Sequence, residues 1–126
     1  MHEEFLHYIW KYRLFNPDNL TTVSGQKISV IKTGVHNTDS GPDFFDARIK
    51  IDKTLWAGNV EIHINSSSWE KHNHQNDRAY NNVILHVVYN DDAIVKTADN
   101  FHIPTLVLKD KFDKKLYQRY IDFLGN

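Results

Sequence analysis

The sequence predicts an α/β (α+β) domain, a mixed central sheet flanked by helices. Three observations carry this. Two stretches near the middle, "DFFDARIKI" and "LWAGNVEIHI", alternate apolar and polar residues with the period of a strand, and "DKT" turns the chain between them. "NNVILHVVYND" is nearly all apolar, as expected of a strand covered on both faces. The two ends instead place their apolar residues at helical spacing.

The first element is a helix in "EEFLHYIWKYRLF". Phe5, Leu6, Ile9, Trp10 and Leu14 fall close to one face, and Glu3 and Glu4 sit in the first turn, where the helix dipole favours acids. "NPDN", from Asn16 to Asn19, stops it. "KISVIKT" predicts a strand from about Lys27 to Thr33, and "GVHNTDSGPD" is a loop by composition. In the hairpin, Phe45, Ala47, Ile49 and Ile51 oppose Asp46, Arg48 and Lys50 on the first strand. On the second, Trp56, Val60, Ile62 and Ile64 oppose Asn59, Glu61 and His63. "SSSWEKHNHQNDRAY" opens with a Ser67-x-x-Glu70 capping-box pattern, which predicts a helix from about Ser68, weakened by its Asn residues. After "NNVILHVVYND" comes a short strand, "TLVLKD", following Pro104. "KFDKKLYQRYIDFL" closes the chain as an amphipathic helix, with Phe112, Leu116, Tyr120 and Phe123 on or near one face. The order is α-β-β-β-α-β, then β and α.

A chain of 126 residues suits one domain, 1–126, and an apolar fraction of 40% suits a packed core. The net charge of −1 argues against a surface that grips nucleic acid everywhere, while leaving room for a local basic groove. Cysteine is absent, which excludes disulfides, thiolate zinc sites and cysteine nucleophiles. No secretory leader opens the chain, and no apolar run approaches the roughly 18 residues needed to cross a bilayer. The expectation is a soluble, cytoplasmic protein without a membrane partner.

Three groups of residues carry chemistry. The first is Asp43 with Glu61 and His63: converging carboxylates hold a hard cation such as Mg2+ or Mn2+, and a neighbouring base positions or deprotonates water. Which aspartate joins Glu61 is open. With a plain two-residue turn, Asp46 shares the face of Glu61 and His63 while Asp43 points away. A bulge near "SGPD" would restore Asp43. The second group is "HNHQND", with His72, His74 and Asp77. On a strand or loop, H-x-H can chelate a metal; on a helix the two rings diverge and only His74 and Asp77 remain neighbours. A solvated polar face competes with both readings. The third is His86 in "VILHVVY", either a core histidine with satisfied nitrogens or an imidazole that orients Glu61 or a metal ligand from behind. His36 and Asp39 are rim candidates in the loop before "GPD". The lysine-rich "KDKFDKKLYQR" can touch phosphates or simply face solvent.

"GPDFF" followed by "VEIH", in an α-β-β-β-α-β order, resembles the PD-(D/E)XK nuclease superfamily. The resemblance implies a restriction-endonuclease-like core extended by a strand and a helix, with Asp43 and Glu61 as metal ligands and DNA or RNA as substrate. Glu3 or Glu4 matches an assisting acid on the first helix. His63 stands where that superfamily has lysine, and an imidazole near neutral pH is mostly uncharged. Over nearly its whole length, through "HNTDSGPDFFDARIKI", "WAGNVEIHI", "SSWEKHNHQND" and "NVILHVVY", the chain is also similar to a bacterial family known only as a domain of unknown function. That similarity implies that 1–126 is the N-terminal portion of a longer protein.

Three functions compete. The leading one is a metal-dependent phosphodiesterase using Asp43, Glu61 and His63. The second is a catalytically inactive domain of the same fold that binds nucleic acid or a protein. The third is a histidine-rich metal-binding domain centred on His63, His72, His74 and Asp77.

Overall fold

The structure, a computed structural model, describes residues 1–125. Helix α1 (Glu3–Lys11) is followed by strands β1 (Ile28–Lys32), β2 (Val35–His36), β3 (Phe44–Ile51) and β4 (Thr54–Asn65). A crossover with the one-turn helix α2 (Ser68–Lys71) and two 3₁₀ turns (74–76 and 78–80) leads to β5 (Val83–Asn90), β6 (Thr105–Val107) and helix α3 (Lys114–Leu124). The sheet is mixed. Its order is β1-β3-β4-β5-β6, with the short β2 also on β3. β3 runs antiparallel to both β1 and β4, whereas β5 lies parallel to β4 and β6 parallel to β5. The mixed sheet with flanking helices is the predicted class.

α1 ends earlier than its apolar pattern suggests. Arg13 takes a left-handed φ of 55°, its N–H bonds Trp10 O at 3.2 Å, and the Leu14 N–H bonds Ile9 O at 2.9 Å. This αL cap satisfies the last carbonyls. The Arg13 guanidinium then donates to the carbonyls of Val30 and Ile31 on β1, which fixes the exit of the chain. Phe5, Leu6, Ile9 and Trp10 share one buried cluster with Val60 and Ile62 of β4 and Leu85 and Val87 of β5. α3 lies against the same layer through Leu116, Tyr117 and Tyr120, but Phe123 is 78% exposed. A second, smaller core forms beneath the crossover from Trp69, Tyr80, Val83, Val95 and Ile103.

The capping box expected at Ser67 does not form. Ser67 has helical backbone angles, and its hydroxyl donates instead to Asp92 Oδ2 at 2.8 Å. Ser66 and Ser67 are thereby tied to the loop after β5. Gly58 answers a different need: a Cβ there would come within 2.6 Å of the Asn82 carbonyl, where β4 meets the end of the crossover.

The β3–β4 ladder decides what faces what. Its turn is the plain two-residue kind, Ile51 pairing with Thr54. Up to Ala47, opposite Gly58, the register is regular; Phe44 then pairs with Val60, so Phe45 and Asp46 together oppose Asn59 alone. Asp46 absorbs the bulge with a φ of 59°. Short polar side chains tolerate that left-handed conformation better than most.

Candidate metal centre

The bulge selects the aspartate. Asp43 is carried toward β4, which continues to Asn65 past its last pairing with β3. There the Ile62 N–H donates to Asp43 Oδ2 at 2.8 Å, and the Asp43 N–H donates to Glu61 Oε1 at 3.1 Å. Asp46, the competing candidate, points to solvent with its side chain 70% exposed and pairs with Arg48. It does not join Glu61, because the bulge reverses the face that simple alternation assigned to it.

Two clusters meet at Glu61. Glu3, His7 and Asp43 bring three ligand atoms within 4.8 Å of one another. His7 Nε2 lies 3.7 Å from Glu3 Oε1 and 3.6 Å from Asp43 Oδ2. It is buried and finds no hydrogen-bond partner among the described residues. Donors around one four-coordinate ion at ~2.0–2.2 Å stand about 3.3–3.6 Å apart, close to these separations. His63, His72 and His74 form the second cluster under the same 4.8 Å limit. Glu61 Oε2 reaches into it, 2.9 Å from His74 Nε2 and 3.3 Å from His63 Nε2.

Each cluster has an imidazole braced from behind by another. His7 Nδ1 is 3.1 Å from His36 Nε2, and His63 Nδ1 is 2.8 Å from His86 Nε2. Fixing one ring nitrogen in this way sets the tautomer and aims the other, as in most histidine metal ligands. His36 also stacks on Phe44 with ring centres 4.7 Å apart. His74 lies flat on Tyr80 at 3.7 Å and edge-on to Trp69, so the small core holds it in place.

The crossover solves the H-x-H problem by not staying helical. α2 ends at Lys71, His72 is its C-cap, and Asn73 turns left-handed at φ 59° before the 3₁₀ turn begins at His74. Both rings therefore reach His63, with ring centres 5.2 Å and 5.5 Å away. Asp77 is not brought in. Its Oδ1 accepts the Ala79 N–H at 2.9 Å and caps the second 3₁₀ turn. His7 is the residue that sequence reasoning missed. Its only signal was the Glu3-x-x-x-His7 spacing, one helical turn, on a helix that otherwise reads as plainly amphipathic.

Residues 3–126 match the family model described as "Protein of unknown function (DUF2851)". The chain belongs to this family. No curated protein and no solved structure matches it. The family description names no activity, so the DUF2851 chain has to be read from its own groups.

Their electrostatics are those of a site short of positive charge. Burial, and then the neighbouring Glu61, push the Asp43 carboxyl up to about 8. Burial lifts Glu61 to about 7. Burial also holds His63 and His86 neutral, each down at about 3, and moves His74 in the same direction. Burial and the His7 charge lower His36. At Glu3 burial acts upward, but the neighbouring His7 imidazole leaves it below its usual value. The result is a set of lone pairs converging on a small volume, with protons standing in for a cation.

Proposed function

We propose that this DUF2851 chain is a metal-dependent phosphodiesterase, in which Asp43 and Glu61, assisted by Glu3 and His7, hold a divalent cation. One observation carries the reading: the buried Glu61 carboxyl and the half-buried Asp43 carboxyl meet beside His7, whose inward nitrogen has no partner among the described residues. Burying such groups without a counter-charge is costly, and a cation removes the cost. Asp43 just before β3 and Glu61 on β4 are the residues on which the nuclease-like resemblance rests, and nucleic acid is accordingly the first substrate class to test. Oxygen ligands suit Mg2+ or Mn2+, and the imidazole of His7 tilts the preference toward Mn2+.

The ion would polarise a phosphoryl oxygen and acidify a water molecule. Hydrolysis adds water across the P–O bond: the water oxygen joins phosphorus, the ester P–O bond breaks, and one water proton ends on the leaving oxygen. His63 does not replace the superfamily's lysine as a fixed charge, since it is 1% exposed and neutral. That single fact favours the second reading, a domain of this fold that binds nucleic acid or protein without cleaving it.

The test is release of p-nitrophenol from bis(p-nitrophenyl) phosphate, with DNA and RNA cleavage in parallel, in Mn2+ and in EDTA. Mn2+-dependent turnover that falls about a thousandfold in Glu61→Gln is the expected result, the scale set by several kcal/mol of cation stabilisation. Turnover undiminished in Glu61→Gln overturns the reading, and no turnover of any substrate supports the binding alternative.

A further inference from the structure

We propose that His63, His72 and His74 form a separate site for one transition-metal ion of the Zn2+ class, adjoining the carboxylate centre across Glu61. The inference rests on the reading above only for the role of Glu61 as a shared ligand.

Three imidazole donors and the Glu61 Oε2 atom converge, with Glu61 at 2.9 and 3.3 Å from two of the rings. The other oxygen of Glu61, Oε1, accepts the N–H of Asp43, a member of the carboxylate cluster. One carboxylate thus serves both clusters, an arrangement suited to bridging two ions. A donor set of three imidazoles and one carboxylate favours Zn2+, Co2+ or Ni2+ over Mg2+, because borderline-soft nitrogen ligands do not repay the dehydration of a hard ion.

The surroundings are built around the rings. His63 is braced by His86, His74 is clamped between Tyr80 and Trp69, and Asn73 adopts the left-handed conformation that turns His74 back beside His72. His74 Nε2 is itself buried and makes no well-directed hydrogen bond among the described residues, despite its closeness to Glu61. A solvated polar face would need none of this. His72, the exposed member, marks the side from which an ion enters. In phosphoryl transfer, a second ion beside the first clamps the attacking and leaving oxygens together.

The experiment titrates tag-free, EDTA-treated protein with Co2+, following visible absorption and calorimetric stoichiometry. Wild type is expected to take two equivalents, one giving the intense absorption of a low-coordinate, nitrogen-rich site. His72→Ala, chosen because that side chain is exposed and its loss leaves the core intact, is expected to lose that absorption and one equivalent. Asp43→Asn is expected to retain them. Wild type without the nitrogen-rich absorption, or an unchanged spectrum in His72→Ala, overturns the proposal. The two readings fail separately. Two bound ions without hydrolysis would sink the phosphodiesterase and leave this site standing. Hydrolysis by a protein with one ion, unaffected by His72→Ala, would do the reverse.

Discussion

On strand β4, Val60 and Ile62 are fully buried against α1, while Glu61 and His63, at 4% and 1% exposure, are almost as deeply buried on the other side. The backbone treats the four residues alike, yet their chemistry is opposite. Val60 and Ile62 contribute stability in the ordinary way, about 1.5–3 kcal/mol for each apolar side chain removed from water. Glu61 and His63 contribute little or nothing of that kind, since desolvation works against both of their charged forms. A face that costs stability is retained for what it binds. This reading can be broken at each of three strengths.

The largest contrast is between neighbours. Ile62→Ala is expected to cost about 2–5 kcal/mol in urea unfolding, through lost burial and a residual cavity, with metal stoichiometry unchanged. Glu61→Gln keeps the shape and an acceptor for the Asp43 N–H. In EDTA it is expected to stay within about 1 kcal/mol of wild type, while losing the metal response. If Glu61→Gln proved as damaging to the metal-free fold as Ile62→Ala, the polar face would be structural and the comparison would collapse.

Next comes pH, where the sign follows from the direction of each shift. Asp43 and Glu61 are raised to about 8 and about 7, so between their ordinary values and these the folded metal-free state holds protons that the unfolded chain has released. Stability therefore falls as pH rises through that window. His63 and His86, depressed to about 3, act the other way, but only below their ordinary value near 6.5. Between about pH 6.5 and 8 the carboxyls act alone. The metal-free protein is expected to lose on the order of 2 kcal/mol there, at about 1.4 kcal/mol per pH unit for each proton released. Saturating Mn2+ replaces those protons, so the stabilisation it confers should grow over the same range. Thermal melts with and without Mn2+ at several pH values measure this. A metal-free stability that is flat from pH 6.5 to 8 would show that the two carboxyls are not buried together.

How much of this was legible beforehand depended on whether the information was periodic. Alternation in 44–51 and 54–65 reports strands directly, and the apolar run at 83–90 reports burial. The choice between Asp43 and Asp46 was not available from alternation, because a bulge shifts the register without changing composition; only "SGPD" hinted at it. Helix α1 was overextended because Leu14 sits at a helical position, whereas the chain had already left the helix at Arg13, held by carbonyls of β1. His7 was hidden by its helix. Its apolar neighbours set the pattern, and its partners Asp43 and His36 are far away in sequence. Asp77 looked like a ligand because it lies next to the histidines, yet its backbone position made it a cap.

The smallest effect tests the local geometry that makes "HNH" a cluster at all. Asn73 sits at φ 59° and ψ 31°, a conformation that costs a β-branched residue roughly 1–3 kcal/mol and glycine almost nothing. Asn73→Gly, which loses only the 2.7 Å bond from Asn76, should therefore keep Co2+ affinity within about a few-fold of wild type. Asn73→Val should force the segment toward ordinary angles, swing His74 away from His72, and weaken the nitrogen-rich site about tenfold, the equivalent of ~1.4 kcal/mol. The carboxylate cluster, built from α1 and the residue just before β3, shares no backbone with this segment, so Mn2+ binding there should be unmoved by either change. Equal Co2+ affinities for the two variants would mean that the left-handed residue does not position the rings. The three imidazoles would then owe their convergence to the packing of Trp69 and Tyr80 alone.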